Sequence, residues 1–181
     1  MRRLIPKFFS KIVRHNSCKV RCSLVRTYRV ISSASVDDLW QMIANLADVS
    51  WHPLIAKTYV PKGLIAKPGI IYQAVTRLSP IPIQIFVERV NPGELLSVRI
   101  LAMPGIEERV IYQVESTLCG TRISYSVDLR GWLSPVIWSL MKPYAARVAS
   151  ALAQAAEQSA LQGVPHSEPQ PPSSNSMDFG F

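Results

Sequence analysis

With 181 residues, 48% of them apolar, the chain can bury one core of its own and suits a single domain. Its three cysteines, Cys18, Cys22 and Cys119, give no disulfide framework, no Asn-x-Ser/Thr site occurs, and no stretch approaches the roughly 20 apolar residues that span a bilayer. A reducing, cytoplasmic location is therefore expected, and secretion is not.

The net charge of +8 belongs to one end. Of the 20 lysines and arginines, nine (Arg2, Arg3, Lys7, Lys11, Arg14, Lys19, Arg21, Arg26 and Arg29) fall in residues 1–29, which hold no acid; the other 11 face 12 acidic residues. A body so near neutrality is not that of a nucleic-acid-binding domain, which carries its basic stripe on the folded surface.

Residues 1–23 read as a basic amphipathic arm. Leu4, Ile5, Phe8, Phe9, Ile12 and Val13 recur at helical spacing, and Arg3, Lys7, Lys11 and Arg14 fall on the opposite side. Pro6 is tolerated only in a first turn, so the helix would begin near Ile5. This is the pattern of a helix lying on an anionic membrane, with Phe8 and Phe9 in the acyl boundary and the cations toward the headgroups. An organelle transit peptide has the same composition, and its removal would leave a chain starting near Thr27; a basic leader without a role is the third reading. His15, Cys18 and Cys22 lack a fourth ligand and sit among cations, so no metal is expected.

Leu24 to Ile31 is β-prone and reads as the first strand. Ser35 followed by Asp38 forms a capping box, and Val36, Leu39, Trp40, Ile43 and Leu46 then repeat at 3 and 4 spacing, predicting a helix over 36–47. Pro53 closes the turn that follows. Strands are predicted near 55–60, 69–78, 82–90, 95–102, 107–118 and 121–130, separated by Pro61-Lys62-Gly63, Ser79-Pro80, Asn91-Pro92-Gly93, Pro104-Gly105 and Cys119-Gly120. Connections this short make an antiparallel sheet. Ile123, Tyr125, Val127 and Leu129 share one face of the last strand, and Glu108, Val110, Tyr112 and Val114 one face of the strand before it. Ser134 to Gln162 is helical, with Pro143 expected to split it into a short leading segment over 135–141 and a main, alanine-rich helix ending near Gly163. Residues 163–181 read as a disordered Pro/Ser-rich tail whose closing Asp178-Phe179-Gly180-Phe181 is either a small docking peptide or, more simply, a frayed end.

The order of strand, helix pair, six-stranded meander and long last helix resembles the START-like (SRPBCC) superfamily, the polyketide cyclase/dehydrase and lipid-transport group, from about residue 26 to 161. The likeness is carried by Ser33-Ala34-Ser35-Val36-Asp37-Asp38-Leu39-Trp40 as the strand-to-helix entry and by Asn45 to Pro53 as the second-helix segment. Glu88-Arg89-Val90-Asn91-Pro92 resembles the middle hairpin, and Gly131 onward with Lys142-Pro143-Tyr144 the lead into the last helix. The resemblance implies an α+β helix-grip (Bet v 1-like) fold: a curved antiparallel sheet of about seven strands wrapped on the last helix, over residues 24–162, enclosing an apolar cavity. Members bind lipids, quinones, sterols, hormones or polyketides, some as enzymes and many as carriers.

Such a cavity is the best functional candidate. Its expected liners are Trp51, Tyr59, Tyr72, Phe86, Tyr112 and Tyr125, joined by Trp138, Met141 and Tyr144 from the last helical region; any of them can equally be plain core. Arg99 and Glu108 could orient a polar head, although mid-strand charges more often lie on the solvent face, the placement favoured for both. His52 is the one histidine of the body, with no titratable partner legible beside it, and a structural role is favoured over acid–base work. Phosphate loops, metal-ligand pairs and serine elbows do not occur, so no catalytic residue and no cofactor are assigned. The leading expectation is a carrier of a hydrophobic small molecule at a membrane surface, followed by a cyclase/dehydratase-type enzyme using the same cavity, and third an assembly or interaction module.

Overall fold

The computed structural model describes residues 23–162, Pro104 apart. The arm with Arg3, Lys7, Phe8, Phe9, Lys11 and Arg14, the three metal candidates around it and the tail lie outside the described residues.

Nine elements follow in chain order: β1 (Ser23–Ser32), α1 (Val36–Ala44), β2 (Ile55–Thr58), β3 (Ile71–Thr76), β4 (Ser79–Asn91), β5 (Leu95–Met103), β6 (Ile106–Thr117), β7 (Gly120–Gly131) and α2 (Ser134–Gln162). The seven strands form one antiparallel sheet in the order β1-β7-β6-β5-β4-β3-β2. The curled sheet and the last helix make the helix-grip, Bet v 1-like α+β fold.

Period-2 patterning decides which face is buried. Ile123, Tyr125, Val127 and Leu129 are at most 1% exposed, and the same face continues across β6 through Val110, Tyr112 and Val114. α2 lies against this face with Trp138, Met141, Ala145, Val148, Ala149, Leu152 and Ala156 buried, and its alanines let the helix sit close. Near its end, Glu157 Oε1 accepts hydrogen bonds from Ser32 Oγ (2.8 Å) and the Ser33 amide (2.9 Å), tying the helix to the end of β1.

Four expectations are corrected. Ser79-Pro80, expected to separate two strands, lies inside β4, and the turn falls one step earlier at Arg77-Leu78. α1 stops at Ala44 instead of residue 47, because the Ala44 carbonyl accepts from the Ala66 amide (2.9 Å) and Asn45 bridges to Ile65. Asn45 to Pro53 is not a second helix: Asn45 and Asp48 accept backbone amides two residues ahead, the local pattern that competes with helix formation. Pro143 does not divide the last helical region either, since α2 runs unbroken from Ser134 to Gln162. A proline there forfeits the bond to the Ser139 carbonyl. Packing holds the helix on both sides of the gap, through Trp138 and Met141 before it and Ala145 and Val148 after it.

Gly131 positions that helix. Its φ of +138° is one that side chains rarely adopt, and a Cβ there would run into the Gly105 carbonyl oxygen. Ser134 Oγ then donates to the Gly131 carbonyl (2.7 Å) as α2 begins.

Candidate ligand cavity

Between the concave face of the sheet, the Asn45–Leu54 segment and the first turns of α2 lies a cavity of ≈ 290 Å³. The wall is largely aliphatic: Ile85 from β4, Val98 and Ile100 from β5, Val110 from β6, Met42 and Ile43 from α1, and Ile137 and Met141 from α2. Each strand residue is there because it shares parity with its neighbours; Ile85, for example, pairs with Ile100. Three large apolar residues of the lining are open to solvent, Leu78 (42%), Ile81 (70%) and Leu140 (60%), giving the cavity an apolar rim.

Of the ten residues expected to contact a ligand, the fold brings five to this wall: Trp51, Tyr72, Tyr112, Tyr125 and Met141. The other five lie off it. Tyr59 is 55% exposed just beyond β2, under the Lys57 ammonium (4.9 Å to the ring centre). Phe86 has the opposite parity to Ile85 and Val87, so it stands on the outer face beside Arg99. Trp138 is buried core away from the cavity, and Tyr144 is half-buried outside the lining.

Arg99 belongs to an ion cluster on the outer face. It sits directly across from Arg109, a like-charge pairing that is unfavourable by itself. The irregular register between Val87 and Arg89 lets Glu88 join them: Glu88 Oε1 accepts from Arg99 Nε (2.6 Å) and Oε2 from Arg109 Nε (2.7 Å). This is the solvent-face placement favoured for a mid-strand charge, and it removes Arg99 from the candidate ligand contacts.

The expectation for Glu108 reverses in the other direction. It shares the inward face with Val110 and Tyr112, is 7% exposed, and lines the cavity. Its Oε1 is buried without a hydrogen-bond partner, and burial raises its carboxyl to about 7. Trp51 Nε1 is buried unpartnered as well. Parity with Val110 was the available signal for the inward position of Glu108; nothing local marks its isolation.

His52 has the titratable partner that its neighbourhood in the chain does not show. Its Nδ1 accepts the backbone amides of Leu54 (3.1 Å) and Ile55 (3.0 Å), which places the proton on Nε2. Nε2–H then donates to Tyr112 Oη at 3.0 Å, sixty residues away in sequence. Burial, helped by the charge of Arg77, lowers His52 to about 3, so the ring is neutral. Trp51 packs on this pair, 5.1 Å from His52 and edge-on to Tyr112 at 6.2 Å, and Tyr112 reaches Tyr125 at 5.2 Å. Because Tyr112 Oη accepts from His52, its own hydrogen is free to be donated. Burial raises Tyr72 to about 12 and drives Tyr112 and Tyr125 upward too, so all three stay neutral donors. Among the described residues, no three His, Cys, Asp or Glu side chains are placed to hold a metal ion.

The fold is shared with solved structures of low identity. Protein MLL2253 from Mesorhizobium loti matches with a TM-score of 0.62 at 14% identity, over 75% of this chain and 98% of its own. Norcoclaurine synthase from Thalictrum flavum matches at 0.58 and 18%, over 90% and 99%, and Ara h 8.0201 at 0.59 and 12%, over 76% and 99%. A search of curated proteins finds no match. The sequence profile of the family described as "Polyketide cyclase / dehydrase and lipid transport" matches residues 23–157, from the start of β1 into the last turns of α2. The chain is therefore a member of the polyketide cyclase/dehydrase and lipid-transport family, within the START-like group.

Proposed function

We propose that the protein binds an apolar small molecule in the cavity between sheet and α2, and carries it rather than converting it. The observation behind this reading is the cavity itself: a space of ≈ 290 Å³ walled by aliphatic and aromatic side chains with only a few polar groups, the usual make-up of a ligand site. A carrier is favoured over an enzyme because the one histidine of the wall has both ring nitrogens engaged and is neutral, and the other poised group, Glu108, has no hydrogen-bonded partner to form an acid–base pair with. The exposed rim of Leu78, Ile81 and Leu140 suits loading from an apolar phase, and the basic amphipathic arm suits an anionic membrane surface.

Native mass spectrometry of the full chain from its own host, with titration of the neutral fluorophore N-phenylnaphthylamine alongside, tests the reading. One apolar adduct per chain and saturable fluorophore binding are expected. An empty chain that also fails to bind the fluorophore would overturn it.

A further inference from the structure

The apolar wall leaves one acid without a counter-ion. Among the described residues no Lys or Arg lines the cavity, and the groups lining it from the elements around Glu108 are apolar or neutral, Asp48 apart. Across the ladders stand Ile100 on β5 and Leu129 on β7. α2 contributes Ile137, Leu140 and Met141, and α1 contributes Met42 and Ile43. The titratable groups that share its field are Tyr112 on its own strand, Tyr125 on β7 and Tyr72 on β3, together with neutral His52 and the solvent-exposed Asp48.

An isolated carboxylate in such a wall is costly, and an unsatisfied carboxyl oxygen is costly even when neutral. Protonated, the group becomes an O–H donor. Deep in the wall stand two further donors, Trp51 Nε1–H, which has no partner, and the Tyr112 hydroxyl, whose oxygen is already engaged; the side-chain acceptors of the Asn45–Leu54 segment, Asn45 Oδ1 and Asp48 Oδ1, are taken up by the amides of Ala47 and Ser50. Four residues along β6, about 13 Å of backbone at strand spacing, separate Tyr112 from Glu108, although their side chains share one field. A guest's carboxylate would enter with no cation to meet it. A guest's ammonium would have to bury an ion pair whose remaining surroundings are hydrocarbon.

We propose, building on the ligand-binding reading above, that Glu108 is the polar anchor of the cavity: protonated, it donates a hydrogen bond to an acceptor oxygen of an uncharged, apolar guest, and the cavity excludes anionic and cationic amphiphiles. Binding then weakens as Glu108 ionises, since the donor becomes a charge that draws water into the apolar space.

The test is displacement of N-phenylnaphthylamine from the full chain by three twelve-carbon competitors: a methyl ketone, the fatty carboxylate and the alkylammonium. At about pH 6 the ketone should compete at about tenfold lower concentration than either ion, the size of one hydrogen bond to a neutral acceptor. Its affinity should fall several-fold toward about pH 8.5 as a group of pKa about 7 ionises. Glu108→Gln, which keeps an N–H donor, should retain ketone binding and flatten that pH dependence; Glu108→Leu should weaken the ketone more than it changes the fluorophore. Equal competition by ketone and carboxylate, tighter binding of the alkylammonium, or a pH profile unchanged in Glu108→Gln would each overturn this inference while the cavity reading stood. Failure of the fluorophore to bind at all would remove both.

Discussion

Glu108 couples the cavity to protein stability. Its carboxyl is held neutral in the fold, moving from 4.5 to about 7, so the folded state keeps a proton that the unfolded chain has lost. A raised folded-state pKa means that the contribution is complete below about pH 4.5 and disappears as the pH climbs through about 7. Between pH 5 and 8 the wild type should therefore lose about 2–3 kcal/mol more than Glu108→Gln, at 1.36 kcal/mol per pKa unit. His52 acts with the opposite sign: its folded value of about 3 lies below the ordinary 6.5, so its contribution is present above about pH 6.5 and lost on acidification. Both proteins carry His52, and its effect cancels in the difference. Urea titrations of the two at several pH values measure this, and parallel stability curves would mean that Glu108 does not titrate within this window.

At the scale of the element, α2 is the part that packing carries against its own local preference. Pro143 lies nine residues into the helix, where a missing N–H and the ring's clash with the preceding turn cost about 3 kcal/mol. The flanking stripe of Trp138, Met141, Ala145, Val148 and Leu152, each at most 8% exposed, holds the helix together regardless. Pro143→Ala restores the donor to the Ser139 carbonyl. It should stabilise the protein by roughly 1–2 kcal/mol once the lost chain stiffness of proline is discounted, seen as a higher melting temperature. A lower one would show that the lining by Ile137, Leu140 and Met141 depends on a bend at Pro143.

For the whole molecule, charge and fold are separable. Seven of the nine cations of residues 1–29 precede β1 and two, Arg26 and Arg29, lie on it, while residues 30–181 carry 11 basic against 12 acidic residues. No helix among the described residues is long and apolar enough to cross a membrane. Removing residues 1–22 should leave the melting temperature unchanged and abolish salt-sensitive co-sedimentation with vesicles containing anionic lipid. Undiminished vesicle binding by the shortened chain would transfer that role to the rim of Leu78, Ile81 and Leu140, or end it.

What the sequence by itself determined is whatever has a local period or a local cap. Alternation in the last two strands fixes their buried face, Ser35 with Asp38 starts α1 (the Asp38 amide donates to Ser35 Oγ at 3.1 Å), and the turn residues between strands set the meander. The same parity places Glu108 inward and Phe86 outward, against the roles first assigned to them. Only the tertiary structure decided that Pro143 stays within one helix, that His52 meets Tyr112, and that Glu108 has no partner in the wall. The reason is physical: period and caps act over a few residues, whereas a partner, or the lack of one, is settled by strands and loops brought together from sixty or more residues away.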